Sequence, residues 1–119
     1  MLVSPAQLVA VAKATITECA VTEVEQCLNS ETLLIDLREP AEFQKGHIPG
    51  ATLLPRGLLE FEIQKLANAE RPIVLYCGNG GRSTIAAQTL ESIGYKNVSS
   101  MAGGIIAWAT AHLPLDIPV

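Results

Sequence analysis

Apolar and polar positions along the chain alternate between a helical and a strand-like spacing, and the switches recur from end to end. Ser4 can cap a helix with Pro5 at its first position, and Leu8, Val9, Val11 and Ala12 supply an apolar face. The run Ile16 to Val21 reads as a strand. Thr22 then reads as the cap of a helix through Leu28, with Glu23 and Glu25 in its first turn and Asn29 as its stop. Thr32 to Leu37 is almost continuously apolar, the mark of a strand covered on both faces. A short helix is expected from Pro40 to Gly46. His47-Ile48-Pro49-Gly50-Ala51 is turn chemistry, ahead of a brief strand near Thr52-Leu53-Leu54. Leu58 to Leu66 reads as a helix and Ile73 to Tyr76 as a second buried strand. Ser83 to Ile93 follows as a helix, with Ala86, Leu90 and Ile93 on one stripe and Gly94 at its end. Val98 to Met101 is the last strand and Ile105 to His112 the last helix.

Strands that alternate with helices throughout predict an α/β fold with a mostly parallel central sheet flanked by helices on both faces. Ligands of such sheets bind beyond the carboxyl ends of the strands. Two segments bring polar groups there: Asp36-Leu37-Arg38-Glu39, and the loop that follows Tyr76.

Composition narrows the choice of partner. The 119 residues are 49% apolar and 17% charged, which fits one globular domain over residues 1–119 with a real core. A net charge of −4 argues against nucleic acid or an anionic membrane as partner, yet leaves a small anionic substrate open, because a local nest can be positive on an acidic protein. There is no basic segment of the signal-peptide kind and no apolar run long enough to span a bilayer, so a soluble protein of a reducing compartment is expected. Three cysteines make an odd count without metal spacing, so neither a metal nor any other cofactor is expected. Cys19 and Cys27, in apolar surroundings, read as small core residues.

Cys77 differs. It stands between the apolar run Ile73-Val74-Leu75-Tyr76 and the loop Gly78-Asn79-Gly80-Gly81-Arg82-Ser83, which leads straight into a helix. Three glycines and an asparagine let that loop turn tightly and aim successive N–H groups inward as an anion-binding nest. The helix behind it adds unpaired N–H groups and the positive end of its dipole. A thiolate or other sulfur anion at the centre is stabilised, which makes Cys77 a candidate nucleophile.

Three ordered motifs resemble the rhodanese family of sulfurtransferases. They are Ile35-Asp36-Leu37-Arg38-Glu39-Pro40-Ala41-Glu42-Phe43-Gln44-Lys45-Gly46-His47-Ile48-Pro49-Gly50-Ala51, then Ile73 to Ser83, then Gly94-Tyr95-Lys96-Asn97-Val98 with Met101-Ala102-Gly103-Gly104-Ile105-Ile106-Ala107-Trp108. The likeness covers about residues 20 to 115, with residues 1–15 as a helical extension at its edge. The resemblance implies a sulfurtransferase that carries sulfane sulfur as a persulfide on Cys77. It would take the sulfur from thiosulfate or a similar small sulfur-containing anion and pass it to cyanide or a thiol. It also implies a loop of Gly78, Asn79, Gly80, Gly81 and Arg82 around that cysteine, and a cytoplasmic setting.

The remaining candidates are weighed against plainer roles. A cation in the first turn of a helix opposes the dipole, so Arg82 is better explained by a fork for a sulfonate or carboxylate than by an exposed or loop-paired arginine. Ser83 reads as a helix cap ahead of a donor to the sulfur. Asp36 and Arg38 read as a structural ion pair or loop anchor, with a pocket role second. Arg56 and Glu60 read as a solvated helix start, with a place on the pocket rim second. His47 reads as structural, His112 as surface and Trp108 as core. Two rival functions stay in view. A phosphatase or arsenate reductase would use the same kind of cysteine, but here four residues separate Cys77 from Arg82 where those phosphatases have five. A non-catalytic sulfur-relay or regulatory domain, handing sulfur to a protein partner, would keep the fold and the cysteine.

Overall fold

The computed structural model describes residues 1–118. Among them, five strands form one sheet: β1 (Thr17–Cys19), β2 (Leu33–Asp36), β3 (Thr52–Leu53), β4 (Ile73–Tyr76) and β5 (Val98–Met101), in the order β1-β5-β4-β2-β3. Every strand pairing in it is parallel. The helices are α1 (Pro5–Lys13), α2 (Val21–Cys27), α3 (Pro40–Gln44), α4 (Leu59–Leu66, entered through a 3₁₀ turn at Arg56–Leu58), α5 (Gly81–Ile93) and α6 (Gly104–Thr110).

The central strands β2 and β4 are buried at every position, because helices cover the sheet on both sides. One face sets Leu33, Ile35, Ile73 and Leu75 against Leu59 and Ile63 of α4 and Ala86, Ala87 and Leu90 of α5. The other sets Leu34, Val74 and Tyr76 against Val24 of α2 and Trp108 of α6, whose indole N–H donates to the Pro114 carbonyl at 2.8 Å. Register places Asp36 beside Tyr76 and Leu75 beside Ser100, so β2, β4 and β5 end at one edge and feed their loops to the same place.

Several local expectations change. Ser4 caps α1 as predicted, its Oγ accepting the Gln7 N–H at 3.1 Å. The predicted apolar face of α1 is largely uncovered: Ala12 is buried, but Leu8 and Val11 are 52% and 63% exposed, because the helix packs along α5 instead of under the sheet. Thr22 does not cap α2. Ala20 holds that position, and Glu23 Oε1 reaches back to accept its N–H at 2.9 Å, so the third helical residue caps the end by itself. Asn29 does stop the segment, in a left-handed conformation with φ 64. α5 starts at Gly81, two residues ahead of the predicted Ser83, and Ile93 turns outward from its buried stripe. Trp108 is core and His112 is exposed, as expected.

Candidate active site

The site is built where β4 runs out. Cys77 follows it directly and is fully enclosed. Its Sγ accepts the Gly80 N–H at 3.2 Å and the Ser83 N–H at 3.4 Å, and lies 3.6 Å from Ser83 Oγ. The bend that brings those amides round depends on Gly80, whose φ of +102° a side chain would resist. The amino terminus of α5 therefore points at the sulfur, dipole and free N–H groups together. The cup is narrower than the sequence predicts: the Gly81 N–H is taken by Asn79 Oδ1 at 3.0 Å.

Ser83 is not a cap. It is the third residue of α5, and Gly80 holds the capping position. The Ser83 hydroxyl lies 2.8 Å from Ser100 Oγ and 3.2 Å from the Gly80 carbonyl. Ser100, fully buried on β5, thus backs the thiol through Ser83. Sequence reasoning passed over it as one more strand residue; the signal that could have found it is a pair of serines in a strand next to β4, where both faces are covered.

α6 fixes the outside of the loop. The Ile105 N–H donates to the Cys77 carbonyl at 2.9 Å and the Ile106 N–H to the Gly78 carbonyl at 3.1 Å. Two otherwise unpaired donors of a helix start thus hold two loop carbonyls away from the thiol. Close docking requires Gly104: its φ is +59°, and a Cβ there would land on both carbonyl oxygens.

Arg82 does not sit free. Its Nη2 lies 3.6 Å from Glu42 Oε2 on α3, and it is 44% exposed at the lip of the loop. Asp36 and Arg38 form the loop anchor. The Arg38 guanidinium donates to Asp36 Oδ2 at 2.8 Å and to the Gly46 carbonyl at 2.8 Å, while Tyr76 donates its hydroxyl to Asp36 Oδ2 at 2.7 Å and accepts the Ile48 N–H at 3.1 Å. Burial works against the Arg38 charge, but the hydrogen bonds and charge of Asp36 outweigh it and push its pKa up. Burial first, then Asp36, raises the Tyr76 phenol far above its usual range, so it remains a donor. This network holds the turn at residues 46–48. His47 adds to it, stacked on Phe43 at 3.7 Å and paired through its backbone with Asp116, which is a structural role.

Arg56 and Glu60 pair at 2.7 Å, and Arg56 Nη2 also donates to Thr89 Oγ1 on α5 at 3.3 Å. Their charges are thus engaged in joining α4 to α5. Cys19 and Cys27 are half-buried; Cys19 packs against the core cluster on the α2 and α6 face, as expected, whereas Cys27 lies outside it. Burial first, then Glu23, pushes the Cys19 thiol up to about 11, so it stays protonated near neutrality and is a poor nucleophile. Among the described residues, no group of three His, Cys, Asp or Glu side chains could hold a metal, and no helix is long and apolar enough to cross a membrane.

Residues 20–111 match the family described as Rhodanese-like domain. The chain belongs to the rhodanese-like family. A sulfurtransferase of Allochromatium vinosum is 41% identical to this rhodanese-like chain over 88 residues, covering 74% of it and 81% of that protein. The thiosulfate sulfurtransferase GlpE of Haemophilus influenzae is 37% identical over 92 residues, covering 76% and 86%. Among solved structures, a Rhodopseudomonas palustris protein of unknown function, described as a possible tyrosine phosphatase, superposes with a TM-score of 0.86 at 28% identity. That match covers 98% of this chain and 96% of the other, so the rhodanese-like core and α1 both have counterparts there.

Proposed function

We propose that the chain is a sulfurtransferase that carries sulfane sulfur on Cys77, taking it from thiosulfate or a similar small sulfur-containing anion. The observation that carries this reading is the pair of backbone N–H groups, from Gly80 and Ser83, converging on Cys77 Sγ at the positive end of α5. A hydrogen bond to a charged acceptor contributes about 1.5–3 kcal/mol, so two of them favour a sulfur anion there without a neighbouring base. The thiolate attacks the outer sulfur of the donor. A new S–S bond forms, the old one breaks with its electron pair, and sulfite leaves. Cyanide or a thiolate then attacks the outer sulfur of the persulfide and returns Cys77 as thiolate. The same amides serve both anions. Arg82, at the lip of the loop, holds the oxyanion end of the donor. Gly78 and Asn79 shape the loop, and the anchored turn at Asp36 and Arg38 supports it. Relatives named sulfurtransferase and thiosulfate sulfurtransferase support the reading.

The test is intact mass after incubation with thiosulfate. A gain of one sulfur atom that cyanide removes, absent in Cys77→Ala, is the expected result. No gain in the parent protein overturns it, and a gain with no thiocyanate formed points to sulfur relay onto a protein partner. A phosphatase reading is favoured by the name of the Rhodopseudomonas palustris protein. Four residues between Cys77 and Arg82 make a tight loop, and the Gly80 and Ser83 amides bond the thiol itself, which suits a single sulfur atom better than a tetrahedral phosphate. Hydrolysis of p-nitrophenyl phosphate that depends on Cys77 would reverse this preference.

A further inference from the structure

Arg82 is held by a carboxylate that belongs to another element. Glu42 uses its two oxygens differently. Oε1 accepts the Glu39 N–H at 3.0 Å and so caps α3, while Oε2 faces Arg82 Nη2 at 3.6 Å. The first contact fixes the carboxylate in place; the second aims it at the lip of the Cys77 loop. The guanidinium in turn lies over Gly78, where a Cβ would sit 3.7 Å from the same Nη2. The Glu39 N–H, and after it Arg82, keeps the Glu42 carboxyl below the usual carboxylate range, so it is charged at neutral pH. The pair is 44% and 42% exposed and lacks the short, two-pronged geometry of a tight arginine–carboxylate contact. Such pairs are weak and screened by salt, so another anion can displace the carboxylate.

We infer that Glu42 is a specificity-determining residue: a built-in anion that occupies Arg82 at rest, against which any anionic donor must compete while a neutral one need not. The inference rests on the reading of Arg82 as the donor's oxyanion contact and deepens it. A weak resident anion favours donors that grip the guanidinium with two oxygens, as a sulfonate end does, over anions that offer one.

The substitution that isolates the charge is Glu42→Gln. Glutamine still accepts the Glu39 N–H and keeps the cap, but no longer competes for Arg82. The readout that does not depend on sulfur transfer is alkylation of Cys77, followed by peptide mass, with iodoacetate as the anionic probe and iodoacetamide as the neutral one. The expected result is that Glu42→Gln raises the iodoacetate-to-iodoacetamide rate ratio by about threefold or more at low ionic strength, with the gain shrinking in high salt. In an Arg82→Ala background the same substitution should leave the ratio within about 1.5-fold, since a coupled pair loses its effect when the partner is gone. An unchanged or lowered ratio in the single variant overturns the inference, and so does an equal gain in the Arg82→Ala background. In turnover, KM for thiosulfate should fall in Glu42→Gln. If thiosulfate loads no sulfur onto any of these proteins, the transfer reading fails, while the alkylation ratio still decides the role of Glu42.

Discussion

Cys77 owes its setting to neighbours of very different visibility. Gly80 and the anchor pair of Asp36 and Arg38 could be read from the sequence, because glycine runs and strand-end charges are local signals. Ser100 left only the faint trace of a serine pair in a covered strand, because the register of β5 against β4 is what brings it behind Ser83. Ser83 itself was misjudged for a related reason. In a glycine-rich stretch the pattern does not say where the helix starts, and a start two residues earlier turns an expected cap into a side chain facing the thiol. Ser83→Ala keeps the backbone N–H on the sulfur but removes the hydroxyl and leaves Ser100 Oγ short of a partner. A hydrogen bond of this kind contributes about 1 kcal/mol, so sulfur loading in a single turnover should slow about fivefold. A loading rate equal to that of the parent protein would show that the hydroxyl is a bystander.

The two buried strands were legible at the level of elements because coverage on both faces leaves continuous apolar runs, and Leu33–Asp36 and Ile73–Tyr76 fall inside them. The failures were at surfaces and ends. Periodicity marks Leu8 and Val11 of α1 as inward, but a helix that packs along another helix buries a narrower stripe than one lying on a sheet, and both stay exposed. The start of α6 is the element whose importance was least visible. Nothing in the Gly103-Gly104 pair says that the helix behind it holds the carbonyls of Cys77 and Gly78. Gly104→Ala would demand a left-handed backbone from a residue that resists it, at roughly 1–2 kcal/mol, and would drive a methyl group into both carbonyls. A fall of about 2 kcal/mol or more in urea-unfolding free energy is expected, together with a loss of sulfur loading of about tenfold or more. Undiminished loading would mean that the loop keeps its shape without this docking.

For the molecule as a whole, the alternation of strands and helices predicted a parallel sheet with two covered faces. It left the strand order unread, since order depends on crossovers that leave no local trace. The two apolar clusters share the strands between them. Leu90→Ala opens a cavity on the α5 face and should cost about 2–5 kcal/mol. Trp108 lies on the opposite face, so its fluorescence should still lose signal at the same urea concentration as the far-ultraviolet dichroism of the whole chain. Separate midpoints would show that the faces unfold independently. The grip of α6 on the loop carries one last consequence. With the Cys77 and Gly78 oxygens tied back by α6, neither carbonyl is free to turn toward the thiol. A cation that relies on main-chain oxygens therefore finds these two already taken.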